Sequence, residues 1–66
     1  MESKRERFRR LSYSRGDRLR REIQLLGSLS DNENYEYSLE DVNALFEPID
    51  EAMKETRALF ERNLKK

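Results

Sequence analysis

A turn divides the chain near its middle, where residues 27–34 read Gly27-Ser28-Leu29-Ser30-Asp31-Asn32-Glu33-Asn34. Glycine adopts the left-handed conformation that ends many helices at little cost, so we expect Gly27 at the C′ position of a preceding helix. Serine, aspartate and asparagine side chains bond to their own backbone and favour turns. The stretch therefore predicts a loop over residues 27–38 that joins two helices.

A helix start follows this loop. Ser38 and Asp41 have the spacing of a capping box, and Tyr37 and Val42 occupy the two hydrophobic-staple positions. Apolar residues then recur at the a and d positions of a heptad, with a second line at the adjoining e position. Along the chain this stripe reads Val42, Leu45, Phe46, Ile49, Ala52, Met53, Thr56, Leu59, Phe60 and Leu64. We predict a helix over about residues 39–64.

Pro48 interrupts this second helix, because proline lacks the amide proton and its ring clashes with the preceding turn. The heptad phase is unchanged across Pro48, which predicts a kink near residues 44–48. The alternative is a short helix over 39–46 followed by a separate helix over 48–65.

The segment before the turn also has helical periodicity. Its large apolar residues follow the three-four spacing of one helix face: Phe8, Leu11, Leu19, Ile23 and Leu26. Arg15 leaves a gap in this face, next to Gly16, which costs about 1 kcal/mol in a helix interior relative to alanine. The face resumes in register, so we expect one helix over about 4–26. The alternative is a helix that begins only at Asp17 as its N-cap.

Two helices joined by a short loop predict an all-α fold, an antiparallel helical hairpin. The stripe of the second helix is wider than a two-helix seam needs, so we expect dimerisation into a four-helix bundle. The residues expected at the oligomer interface are Val42, Leu45, Phe46, Ile49, Met53 and Phe60. The pattern leaves open whether the two hairpins pair in parallel or antiparallel.

Composition excludes several kinds of chemistry. The chain has 66 residues without cysteine or histidine, so it lacks disulfides and the commonest zinc ligands and general base. No paired nucleophile and base, phosphate loop or calcium loop occurs. No apolar run approaches a membrane span, and a signal peptide's apolar segment is missing at the N-terminus. We expect a single-domain cytoplasmic protein that is not an enzyme and uses neither cofactor nor metal.

The net charge of zero conceals separated blocks. Residues 1–21 carry nine basic and three acidic side chains, residues 22–53 carry nine acidic and no basic ones, and residues 54–66 carry five basic and two acidic ones. The first block has eight arginines, whose planar forks suit phosphate. The candidate nucleic-acid-binding residues are Arg7, Arg10, Arg18, Arg21, Arg57 and Arg62.

Other interpretations of the charge remain open. The arginines could instead pair with acids of their own helices or of a partner subunit, and we expect Arg15 to hydrogen-bond an acid or a carbonyl between helices. Tyr35 and Tyr37 either pack over the base of the hairpin or form a contact surface for another protein. The acidic block 22–53 could also imitate nucleic-acid charge.

One pattern in the chain is distinctive: Leu26-Gly27 followed by Asn34-Tyr35-x-Tyr37-Ser38-x-Glu40-Asp41-Val42. With it the chain resembles a family of small, largely uncharacterised helical proteins encoded on bacterial plasmids, phages and integrated elements. Matches extend from Arg7-Phe8 towards Leu59-Phe60, with Gly16, Asp17 and Pro48 atypical. The resemblance implies a bacterial mobile-element origin, a helical hairpin and a host or element-encoded protein as the possible partner, and it implies no activity.

Overall fold

The computed structural model describes all 66 residues, and the chain is all-helical. Helix α1 spans Lys4–Gly27, a 3₁₀ turn spans Ser28–Ser30, and helix α2 spans Leu39–Leu64. The prediction of an all-α chain is confirmed. The chain divides into two units, Met1–Tyr35 and Glu36–Lys66. Neither helix contains an apolar segment of the length that a bilayer crossing requires.

Helix α1 begins at a side-chain cap. The hydroxyl of Ser3 accepts a hydrogen bond from the backbone N–H of Glu6 at 3.1 Å, and it donates to the Glu6 carboxylate at 3.2 Å. The helix then passes through Gly16 without interruption, so it does not begin at Asp17. A single glycine costs about 1 kcal/mol, which the surrounding turns of an otherwise favourable helix tolerate.

The end of α1 differs from the expectation for Gly27. Gly27 lies at φ −60° and ψ −26°, in the right-handed helical region, and is the last residue of α1. Two serines bond the last carbonyls of the helix. The Ser28 backbone N–H donates to the Leu25 and Leu26 oxygens. The Ser28 hydroxyl donates to the Leu25 oxygen and the Ser30 hydroxyl to the Gly27 oxygen, each at 2.7 Å. The helix therefore tightens into a 3₁₀ turn, a common way to end a helix, and no left-handed residue is needed.

Asp31 organises the loop that follows. One carboxylate oxygen accepts the backbone N–H of Glu33 at 3.0 Å, and the other accepts the side-chain amide of Asn34 at 2.6 Å. The Asp31 carbonyl accepts the backbone N–H of Tyr35 at 2.9 Å. These are the local side-chain bonds that make aspartate and asparagine turn formers.

The predicted capping box at the start of α2 is confirmed. The Asp41 backbone N–H donates to the Ser38 hydroxyl at 3.2 Å, and the Ser38 backbone N–H donates to the Asp41 carboxylate at 2.9 Å. The pKa of Asp41 lies below its ordinary value, mainly because its carboxylate accepts the Ser38 backbone N–H and, to a smaller extent, because of the Ser38 hydroxyl. From this cap α2 continues through Pro48 to Leu64, so the helices 39–46 and 48–65 are not separate.

Replacing Ser38 by alanine is expected to destabilise the α2 unit by about 1 kcal/mol, because alanine cannot accept the N–H of Asp41. Thermal unfolding followed by circular dichroism measures the loss. Ser14→Ala is the control, since Ser14 is exposed within α1 and caps nothing. Equal melting curves for the two variants would contradict a stabilising cap at Ser38.

No residue of the chain is buried. The most shielded apolar side chains, all of intermediate exposure, are Leu11, Leu26, Val42, Leu45 and Ile49. The rest of the α2 stripe is more exposed, with Phe46 at 41%, Met53 at 53% and Phe60 at 54%. A 66-residue chain without a buried side chain gains little hydrophobic stabilisation by itself.

Candidate nucleic-acid interface

Four arginines lie along one side of α1. At about 100° per residue, Arg7, Arg10, Arg18 and Arg21 fall within about 80° of arc, whose middle lies roughly 120° from Phe8. Their helix is continuous from Lys4 to Gly27, so the four side chains share one rigid support. We call this group the arginine face.

Glu2 holds the N-terminal part of the arginine face. The Arg10 guanidinium donates two hydrogen bonds to the Glu2 carboxylate, at 2.8 and 3.0 Å, and Arg7 lies 3.9 Å from it. The contact with Arg10 lowers the pKa of Glu2 and raises the pKa of Arg10. One carboxylate thus neutralises one of two arginines, and this cluster keeps a positive charge.

Asp17 makes a second cluster of the same kind. Its two carboxylate oxygens accept Arg20 and Arg21 separately, each at 2.9 Å, from residues three and four positions further along the helix. Asp17 is 22% exposed, whereas the two arginines are more than 70% exposed. The guanidiniums therefore reach solvent while the carboxylate between them is partly covered, and the cluster again carries excess positive charge.

The other candidate arginines are less constrained. Arg18 is exposed and forms no ion pair, and Arg62 in α2 likewise forms none. Arg57 pairs with Glu61 at 3.1 Å along α2. Arg15, expected to bond an acid or a carbonyl, is exposed and has no ion-pair partner.

Pairing with acids of the same helix was one interpretation of the arginines, and among the candidates it holds for Arg21 and Arg57. Arg7 and Arg10 instead pair with Glu2, which lies before α1. Sequence reasoning did not name the acids concerned. The spacing of Asp17 to the arginines at i+3 and i+4 contained that information. Glu2 precedes the helix and lies eight residues from Arg10, so no helical periodicity indicated their contact.

The alternative protein-binding residues lie on the loop and its edge. Tyr35 is 49% exposed and Tyr37 is 41% exposed, so each presents part of its ring to solvent. No group of histidine, cysteine, aspartate or glutamate side chains is arranged to hold a metal ion. The acids of residues 22–53 are spread along α1, the loop and α2.

Comparison with known proteins gives no relative. No protein-family model matches the chain, and neither a curated protein nor a solved structure matches it.

Proposed function

We propose that the chain is a small, non-enzymatic accessory or regulatory protein of a bacterial mobile element that binds nucleic acid through the arginine face of α1. The observation that carries the proposal is the alignment of Arg7, Arg10, Arg18 and Arg21 on one side of an uninterrupted, exposed helix. Arginine forks form paired hydrogen bonds with phosphate oxygens. A row of them along one helix suits a phosphate backbone.

The ion pairs of the face do not prevent phosphate binding. Exposed ion pairs contribute about 0–1 kcal/mol, since water competes for both partners. Glu2 and Asp17 each face two arginines, so the clusters remain cationic. Residues 1–21 as a whole carry six more basic than acidic side chains. A polyanion that displaces the carboxylates gains this surplus charge together with the release of its counterions.

The second part of the proposal concerns assembly. We infer that α1 and α2 form an antiparallel hairpin and that two hairpins dimerise into a four-helix bundle. The exposure of Phe46 and Met53 on the α2 stripe supports the dimer, because neighbouring exposed apolar side chains mark surfaces that bind a partner. Hairpins set side by side in the same direction would bring both arginine faces to one end of the dimer. Hairpins paired in opposite directions would place the acidic block 22–53 of one copy against the basic ends of the other. The nucleic-acid proposal therefore requires hairpins that pair in the same direction.

A second candidate function is an interaction adaptor. The partial exposure of Tyr35 and Tyr37 in an acidic loop favours it, since such a surface suits a basic partner protein. An acidic mimic that uses block 22–53 to occupy a nucleic-acid-binding protein belongs to the same class. Both would leave DNA unbound, which separates them from the first candidate.

Titration of the chain with random-sequence duplex DNA at low and moderate salt tests the lead function. If about six phosphates are contacted, the logarithm of the binding constant should fall with the logarithm of salt concentration with a slope of about −5. Fluorescence anisotropy of labelled DNA measures the binding constant at each salt concentration. The absence of binding at low salt would reject the arginine face as a duplex-binding site, and it would favour the adaptor or the mimic if single-stranded DNA is not bound either.

A further inference from the structure

Tyr13 is a large aromatic side chain that lies away from the apolar face of α1. It is 79% exposed. At about 100° per residue it lies roughly 140° from Phe8 and about 60° from Arg10, next to the arginine face. Neither the expected hairpin contact nor the expected dimer interface uses this position. An exposed tyrosine beside arginines is the combination that nucleic-acid-binding surfaces use for bases and phosphates.

An open depression lies beside Tyr13. Its walls are Ser12, Tyr13, Gly16, Asp17 and Arg20, and its volume is about 330 Å³. The space beside Gly16 is open, since a Cβ atom there would meet nothing within 4 Å. The depression is an open surface rather than an enclosed pocket, and one flat ring could lie on it against Tyr13.

Two arginines lie near the depression. Arg20 forms part of its wall and Arg9 lies one helical turn before Tyr13. The only acid of the wall, Asp17, is held by Arg20 and Arg21 at 2.9 Å. The guanidiniums of that cluster are more than 70% exposed. A phosphate next to a base in the depression would therefore meet arginine donors.

We propose that Tyr13 is a stacking platform for an unpaired base, so that single-stranded nucleic acid is the preferred ligand of the arginine face. This inference rests on the proposed function and names its substrate class. Bases inside a duplex are already stacked and turn only their edges outward, so a ring on a helix surface cannot cover them. Unpaired bases expose their faces, and stacking tolerates every base because each has a π-face.

The test compares a 12-nucleotide oligo(dT) with a 12-base-pair random duplex at one salt concentration. The wild-type chain is expected to bind the single strand more tightly than the duplex. Tyr13→Ala is expected to weaken binding of the single strand by about 5- to 150-fold for one stacked base, and to leave duplex binding nearly unchanged. Alanine is a better helix former than tyrosine, so the variant keeps α1, which circular dichroism verifies.

Two variants serve as controls. Tyr13→Phe keeps the ring and is expected to retain most of the single-strand affinity. Tyr35→Ala removes another exposed tyrosine, in the acidic loop, and is expected to change nothing. Equal single-strand affinity of Tyr13→Ala and the wild type would overturn the stacking proposal, and so would an equal loss in Tyr13→Phe. If duplex binding persists in those cases, the arginine face itself survives. If neither oligonucleotide binds the wild type, both proposals fail.

Discussion

Phe46→Asp is expected to abolish self-association and to unfold the chain. Phe46 lies on the α2 stripe and is 41% exposed in the single chain, and in the proposed dimer a partner surface covers its ring. Isolated helices of this length are marginal in water, and most helical stability comes from packing of the apolar face. Losing a packed phenylalanine costs about 3–5 kcal/mol, and an unpaired carboxylate in the interface adds to that loss.

Sedimentation velocity measures self-association and circular dichroism measures unfolding, each over a range of protein concentrations. The wild type is expected to sediment as a dimer with a concentration-dependent melting temperature. Ala44→Asp is the matched control: it adds the same charge two residues away, on the nearly opposite side of α2, at an exposed position. That variant should remain a folded dimer. A folded and monomeric Phe46→Asp variant would show that the stripe does not form the interface.

The features that the sequence predicts best are local ones. Ser38 and Asp41 form both bonds of the capping box, because partners three residues apart meet as soon as the first turn forms. The continuity of α1 through Gly16 and of α2 through Pro48 follows the unbroken apolar register on each side. The free-energy cost of Gly16 or Pro48 is thus smaller than the helical stability that the residues on either side supply.

At the end of α1, the preference of glycine for the left-handed C′ position did not predict the structure. Gly27 permits a left-handed end, but the neighbouring serines supply hydroxyl donors to the Leu25 and Gly27 carbonyls, and the chain stays right-handed. Which of two favourable endings prevails depends on side-chain rotamers that a residue pattern does not encode.

The candidate site shows a second limit. The sequence places arginines on one side of a helix, but the acids that hold them depend on side-chain reach, as the contact of Glu2 with Arg10 demonstrates. Likewise, the α2 stripe predicts an apolar surface but does not indicate what packs against it. Stripe width indicates how much apolar area is exposed, whereas the direction in which two hairpins would pair in the proposed dimer depends on the charge distribution of both copies.

Simultaneous replacement of Arg7, Arg10 and Arg18 by glutamine is expected to remove most of the affinity for duplex DNA. If each arginine contacts one phosphate, the salt slope should become about 2.7 less steep, and affinity at 0.1 M salt should fall roughly 10²- to 10³-fold. Glutamine and arginine have similar helix propensities, so α1 should persist. Anisotropy titrations at several salt concentrations give the slope, and circular dichroism gives the helix content.

The same three positions changed to lysine provide the matched control, because charge is retained while the planar fork is lost. That variant should keep the wild-type salt slope, which counts neutralised phosphates, and lose affinity only through its poorer hydrogen-bond geometry. Arg10→Lys also removes the two-bond contact with Glu2, and the contact of an exposed pair contributes little. An unchanged slope in the glutamine variant would place the phosphate contacts elsewhere, with Arg57 and Arg62 of α2 as the next residues to replace.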